Sequence, residues 1–199
     1  MKILGVTGGT GTGKSTVAKI LGANGAKIID ADRIAHMLQK KGTAAFDEII
    51  EYFGEGILDT DGEINRRILG ALVFNDQNAL AALNEIVHRH VALEMKRLVK
   101  KYREEGVSLA VLDVPIPIEN GFFDTAECVW AVVANDDLRI ERIMQRSGLS
   151  EKEAASRIGS QLSNREYSEL ADVTIDNEGT FEELEKLVLY ELRRFKDGY

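Results

Sequence analysis

The sequence predicts an α/β fold, in which a five-stranded parallel sheet is flanked by helices and carries a helical insertion and a short helical lid. Three observations lead to this prediction. Five short apolar segments resemble buried strands, helical periodicity separates them, and one long helical stretch interrupts the alternation. We interpret residues 1–199 as one unit, with a core at 1–40 and 105–199, an insertion at about 41–104 and a lid at about 142–170.

The opening of the chain predicts a strand–helix–strand unit. A strand is expected at residues 2–7, followed by a glycine-rich turn at 8–13 and a helix at 14–22 with apolar residues on one face. A second strand is expected at 27–30 and another helix at 31–38. Strand, helix and strand within about thirty residues are typical of a parallel sheet covered by helices.

The later elements continue the alternation after a mostly helical middle. Helical spacing of apolar residues predicts three helices there, at 46–53, 64–74 and 79–102, and Gly54 ends the first of them. Asn135 or Asp136 is expected to cap a later helix. The remaining predictions are strands at 108–114, 127–135 and 172–176 and helices at 136–146, 151–162 and 181–195.

Composition limits the classes of protein that the chain resembles. With 44% apolar and 29% charged residues the chain has globular composition, and a net charge of −8 gives it no general attraction for nucleic acid. The single cysteine, Cys128, cannot form an intramolecular disulfide, which suits a reducing compartment, and the apolar strand around it predicts a buried thiol. No apolar run reaches the ~20 residues of a membrane helix. We expect a cytoplasmic monomer or weak homo-oligomer that binds neither nucleic acid nor membrane.

Residues 8–15, Gly-Gly-Thr-Gly-Thr-Gly-Lys-Ser, match the P-loop pattern G-x-x-x-x-G-K-[ST] between a predicted strand and a predicted helix. Glycines let backbone N–H groups approach phosphates, and the helix directs its positive end at the anion. Lys14 supplies a charge for the β/γ-phosphates, and the Ser15 hydroxyl is a ligand for Mg²⁺. The chain therefore has a predicted P-loop NTPase fold, and its predicted ATP-binding residues here are Gly9, Thr10, Gly11, Thr12, Gly13, Lys14, Ser15 and Thr16.

Other nucleotide-binding folds fit the sequence less well. The glycines do not have the G-x-G-x-x-G spacing of a Rossmann fold, although Asp30 after the second strand would suit either fold. A GTPase would have an Asn-Lys-x-Asp segment, which the sequence lacks. A small-molecule kinase is favoured, and a nucleotide-dependent switch with little turnover remains the alternative from another class.

A kinase needs a carboxylate that orients and deprotonates the acceptor hydroxyl. Asp30 and Asp32 follow the second strand, at the edge where ligands of open α/β sheets bind. One of them can cap the next helix while the other catalyses, and we assign catalysis to Asp32. Asp113 ends the third strand and either orients metal-bound water or serves as a turn residue.

Several blocks of the sequence resemble the dephospho-CoA kinase family. The opening block, residues 7–18 followed by Ile29-Asp30-Ala31-Asp32, is similar to the start of that family. The similarity then extends over nearly the whole chain in the family's order. The further blocks are residues 52–54, 61–66, 73–74, 83–88, 113–120, 142–146, 157–161 and 171–177.

The resemblance implies an activity and roles for particular residues. The family uses ATP and Mg²⁺ to phosphorylate the 3′-hydroxyl of the ribose of dephospho-CoA, the last step of coenzyme A synthesis. By resemblance Asp32 is the base, and Arg142 neutralises charge on the migrating phosphoryl group. The insertion holds the acceptor with Arg66 and His88, and Asn177 falls where related kinases hold adenine.

Two departures from the family's pattern affect the acceptor side. The family usually has His-Pro where this chain has His88-Arg89, and Leu-Leu where it has Ile116-Pro117. Pro117 removes a backbone donor and stiffens its loop. A kinase of nucleosides or nucleotides with the same fold therefore remains the second candidate.

Overall fold

A single parallel sheet forms the centre of the larger part of the chain in the computed structural model, which describes residues 1–115 and 123–198. The predicted segment Ile116-Pro117 lies outside these residues. The strands occur in the spatial order β2-β3-β1-β4-β5, and every neighbouring pair is parallel. The predicted five-stranded parallel sheet is therefore confirmed. The strands are β1 (Lys2–Thr7), β2 (Lys27–Asp30), β3 (Leu109–Asp113), β4 (Cys128–Val133) and β5 (Val173–Asp176).

Helices occupy the segments between the strands. The bounds of α6, whose N-terminus is capped by the Asn135 side chain, agree with the sequence prediction to within one residue. The helices are α1 (Lys14–Ala23), α2 (Ala31–Leu38), α3 (Ala44–Phe53), α4 (Arg66–Asn75), α5 (Gln77–Glu104), α6 (Asp136–Ser147), α7 (Glu151–Gly159), α8 (Asn164–Glu169) and α9 (Phe181–Asp197), with a 3-10 turn at Glu55–Ile57.

The described chain divides into two compact units. The first contains Met1–Asp30 and the described part of Leu98–Tyr199, and the second is Ala31–Arg97. The acceptor-binding insertion is predicted at about 41–104. The observed second unit differs from this prediction because it includes α2 and excludes the end of α5. Helix α2 packs against α3, which explains why it belongs with the second unit.

The core of the first unit lies between the sheet and helices α1 and α9. Trp130 on β4 is fully buried there, with Val17 of α1 and Val188 of α9 in the same cluster. Cys128 belongs to this cluster, so the prediction of a buried thiol is confirmed. The continuous apolar character of β1, β3 and β4 follows from this burial, because helices cover a parallel sheet on both faces.

The sequence prediction missed helix α8. One helix was expected at residues 151–162 and none directly after it. In the structure α7 ends at Gly159, and a separate helix, α8, begins at Asn164. Ser163 and Glu166 form a capping box, in which each side chain binds the other residue's backbone N–H. This Ser-x-x-Glu spacing was the sequence signal that marked a second helix start.

Helix α8 lies within the predicted lid and is anchored to the sheet. Its Tyr167 is fully buried against Ala131 and Val133 of β4, and the Tyr167 hydroxyl donates a 3.0 Å hydrogen bond to the Pro115 carbonyl. The assignment of residues 142–170 as a lid stays a prediction, and the α8 end of this segment packs against the sheet.

The second unit has a separate helical core. Ile49, Ile57, Leu69 and Ile86 are buried together, which joins α3, α4, α5 and the 3-10 turn. Gly54 ends α3, as its sequence position predicts. In the described part of the chain, none of the helices combines the length and apolar character needed to span a bilayer.

Candidate active site

The turn between β1 and α1 adopts a conformation that requires glycine. Gly11 has φ 81° and Gly13 has φ 92°, values in the left-handed region that side-chain-bearing residues rarely adopt. Inside the turn, the Thr12 hydroxyl donates a 2.8 Å hydrogen bond to the Gly9 carbonyl, and Thr12 is fully buried. The backbone of the predicted phosphate-binding loop is therefore held by its own contacts.

The loop ends in unpaired backbone donors at the start of α1. Thr16 and Val17 donate to the Gly13 carbonyl at 2.8 and 3.1 Å. Among residues 1–115 and 123–198, the N–H groups of Gly13, Lys14 and Ser15 have no hydrogen-bond partner. Three adjacent free donors at the positive end of a helix form a site for an anion such as phosphate.

Lys14 forms an ion pair with Asp113, the last residue of β3. The two side chains are 13% and 7% exposed, so water screens the pair little. Val6 of β1 lies opposite Asp113 in the sheet register, which places the carboxylate at the edge where the phosphate-binding loop begins. The geometry thus places Asp113 beside the P-loop, and the orientation of metal-bound water by Asp113 stays a prediction.

Three arginines on α6 face the phosphate-binding loop. Arg139, Arg142 and Arg146 are spaced by three and four residues, which places them on one side of the helix. Arg142 donates to the carbonyls of Gly11 at 3.3 Å and Asn177 at 3.0 Å. A 3.4 Å hydrogen bond joins Arg146 to the hydroxyl of a loop threonine. The structure thus brings Arg142 to the loop, and its role on the migrating phosphoryl group stays a prediction.

Arg139 is a contact of the loop that sequence reasoning missed. Its side chain is 1% exposed, and its Nε donates a 3.0 Å hydrogen bond to the Thr10 carbonyl. Gln161 accepts a 2.7 Å hydrogen bond from the N–H of the same threonine. The sequence contained a signal for this contact. Arg139 lies one turn before Arg142 on a correctly predicted helix, so the two side chains were expected on the same side.

Asn177, one residue beyond β5, lies against the loop. Its Nδ2 donates a 2.8 Å hydrogen bond to the Thr12 carbonyl, and a Cβ at Gly13 would collide with the same nitrogen. The side chain is therefore a support of the phosphate-binding loop. Adenine recognition by Asn177 stays a prediction.

The second unit contains the other predicted site residues. Asp32 lies exposed in the first turn of α2, and Arg66 begins α4 directly after its cap, Asn65. Arg66 donates a 2.7 Å hydrogen bond from Nη2 to Nδ1 of His36, also on α2. His36 was not singled out from the sequence. Within this unit, Arg66 thus contacts α2, the helix that bears the predicted base Asp32.

His88 lies half-buried on α5, and its neighbours are engaged with an acidic residue of α3. Arg89 and His90 both contact the Glu48 carboxylate, and their hydrogen bonds lower the pKa of Glu48. Arg89, the departure from the family's His-Pro pair, is therefore part of a surface ion-pair group. No group of three His, Cys, Asp or Glu residues with metal-binding geometry occurs in the described part of the chain.

Burial lowers the pKa of His88 below its ordinary value of 6.5, which predicts a pH dependence of stability. As the pH falls through 6.5, the unfolded chain takes up this proton before the folded chain does. The free energy of unfolding is therefore expected to decrease from pH 6.5 down to the folded-state pKa, and the loss is constant below it. Urea unfolding at a series of pH values between 7.5 and 4.5 measures this loss, and a His88→Gln variant should lack it. If the free energy of unfolding changed equally with pH in the two proteins, the attribution of this pH dependence to His88 would be wrong.

Comparisons with known proteins agree with this arrangement. A family model described as dephospho-CoA kinase matches residues 2–183. A dephospho-CoA kinase of Symbiobacterium thermophilum is 43% identical over 182 residues, which cover 92% of this chain and 76% of the relative. One of Carboxydothermus hydrogenoformans is 38% identical over 196 residues, which cover 98% and 95% of the two chains.

A solved structure gives the same result in three dimensions. The dephospho-CoA kinase from Campylobacter jejuni has a TM-score of 0.73 and 28% sequence identity, and the match covers 100% of this chain and 99% of that chain. The chain therefore belongs to the dephospho-CoA kinase family of ATP-dependent kinases, which act in the final step of coenzyme A biosynthesis.

Proposed function

We propose that the chain transfers the γ-phosphoryl group of Mg²⁺-bound ATP to the 3′-hydroxyl of dephospho-CoA, with Asp32 as the general base. The observation that carries this proposal is the cluster of free N–H groups at Gly13, Lys14 and Ser15 beside the Lys14–Asp113 pair. Such an array stabilises the phosphate oxygens without having to reorganise during the reaction. Family membership supports the identity of the acceptor.

On the nucleotide side, the loop binds the phosphate chain and Lys14 acts on the transferred group. Phosphoryl transfer spreads negative charge over the equatorial oxygens, so that a fixed cation lowers the barrier. Asp113 holds the Lys14 ammonium group in a single direction. Arg142 fixes the loop through Gly11, and we assign to it, as the resemblance implies, a share in neutralising the migrating group.

The residues present fit a magnesium ion bound together with ATP. Mg²⁺ prefers oxygen ligands and keeps several waters, so that one protein hydroxyl and the phosphate oxygens suffice. Ser15 offers an exposed hydroxyl in the first turn of α1. Asp113, which forms an ion pair with Lys14 of the loop, supplies a carboxylate suited to metal-bound water. When bound, the ion would supply charge neutralisation between the β- and γ-phosphates.

On the acceptor side, Asp32 accepts the proton of the 3′-hydroxyl as that oxygen attacks phosphorus. An exposed carboxylate in the first turn of a helix can be reached by an acceptor hydroxyl and can accept its proton. Arg66 provides a cation for the diphosphate of dephospho-CoA, and its hydrogen bond to His36 restricts the guanidinium. We assign to His88 a hydrogen bond to the acceptor.

A coupled ADP-release assay with ATP and Mg²⁺ tests the proposal. We expect turnover with dephospho-CoA, a 3′-phosphorylated product, and loss of turnover when the metal is chelated. Parallel reactions with nucleosides and nucleoside monophosphates should give no more than background. Turnover with one of these instead would make the chain a different small-molecule kinase. ATP binding without turnover on any acceptor would favour the nucleotide-dependent switch.

A further inference from the structure

We propose that Arg139 is a positioning residue for ATP, which sets the conformation of the phosphate-binding loop through its Nε hydrogen bond to the Thr10 carbonyl. The proposal rests on the proposed function only in that ATP binds at this loop. Arg139 acts without touching the nucleotide, because its guanidinium is buried against the loop. It acts instead on the backbone that does.

The burial of Arg139 indicates a specific task. A buried guanidinium loses its hydration, and it is retained only where hydrogen bonds and charge compensate for that loss. Its Nη1 donates to Asp136 at 2.9 Å and reaches Asn164 of α8 at 3.4 Å. Nη2 is buried without a hydrogen-bond partner within the described residues. The side chain is thus held at an energetic cost, with Nε directed at the loop.

Side chains from outside the loop bind both polar groups of the Thr10 backbone. Arg139 binds its carbonyl, and Gln161 accepts from its N–H. The backbone of Thr10 is therefore held in place by two side chains that lie outside the loop. A loop that is fixed at Thr10 presents its free backbone N–H groups in one arrangement, which lowers the entropy cost of binding phosphate.

Gly9 provides an independent observation. It lacks the positive φ of Gly11 and Gly13, so backbone conformation alone does not demand glycine there. A Cβ at position 9 would lie 2.5 Å from Nη2 of Arg139 and 3.1 Å from Oε1 of Gln161. The close approach of the buried guanidinium thus explains the glycine, and it ties the loop sequence to Arg139.

Two substitutions at this position separate the hydrogen bond from the charge. Glutamine places its Nε2 the same number of bonds from Cα as the arginine Nε, so Arg139→Gln keeps a donor for the Thr10 carbonyl. Arg139→Met fills similar space without a donor. We expect Arg139→Met to weaken ATP binding roughly tenfold and Arg139→Gln less than threefold. Arg193→Met, at an exposed position of α9, controls for the lost charge.

Direct titration with ATP, by calorimetry, measures these affinities without any acceptor, so a wrong acceptor assignment would not affect the result. Melting temperatures are recorded for each variant. Unchanged affinity in Arg139→Met would overturn the proposal. So would an equal loss in the methionine and glutamine variants, because the charge rather than the Nε donor would then be responsible.

A double-mutant cycle with Gly9 gives a second test that does not need the methionine variant to fold. Gly9→Ala should weaken ATP binding about tenfold or more in the parent protein. In the Arg139→Gln background, where Nη2 is absent, the same change should cost at least threefold less. Strictly additive effects would show that Gly9 and Arg139 are not coupled, and would overturn the inference.

Discussion

Replacing Asp32 with asparagine is expected to lower kcat by about a thousandfold while the affinity for ATP remains unchanged. Asparagine has nearly the same shape but cannot accept the proton of the acceptor hydroxyl. Asp32 lies in the exposed first turn of α2 and outside the phosphate-binding loop, so nucleotide contacts should persist. Single-turnover kinetics with saturating ATP separate the chemical step from product release, and titration with ATP measures binding.

Asp30 is the matched control for this substitution. It ends β2 two residues earlier, and Asp113 lies opposite it in the sheet register. Asp30→Asn removes the same charge from the same short segment, and we expect kcat to fall by less than about tenfold if proton transfer belongs to Asp32. Collapse of kcat in Asp30→Asn with activity retained in Asp32→Asn would reverse the assignment. Equal losses would indicate that the net charge of the segment matters and that neither residue is the base.

The strands and most helices could be predicted because their signals are local. Continuous apolar runs bounded by glycine and charged residues mark β1, β3 and β4, and helical periodicity marks α1, α6 and α9. Helix α8 was missed because its six residues are too few to show periodicity. Its burial depends on Tyr167 packing against β4, a tertiary contact that no local pattern reveals.

The phosphate-binding loop could likewise be predicted, whereas its supports could not. Gly11, Gly13 and Lys14 lie in one contiguous motif whose spacing has a direct physical reason. Asp113 lies 99 residues from Lys14, and the two meet only because β3 pairs with β1. The alternation of strands and helices does not specify that strand order. The contacts of Arg139 and Asn177 with the loop depend on the same tertiary arrangement.

The substitution Lys14→Met is expected to lower kcat/KM by about 10²–10³-fold and also to destabilise the protein. The first effect follows from the loss of the cation at the transferred phosphoryl group. The second follows because Asp113, 5% exposed, would be left as a buried carboxylate without its lysine. Breaking such a pair costs about 3 kcal/mol, which in a chain of this size lowers Tm by roughly 10 °C.

A double variant separates these two effects. Lys14→Met combined with Asp113→Asn removes both charges, so no buried carboxylate is left without its lysine, and most of the lost Tm should return. Activity should not return, because the cation is still missing. Recovery of kcat/KM together with Tm would mean that Lys14 serves stability alone. A double variant as unstable as Lys14→Met would show that the ion pair is not the source of the destabilisation.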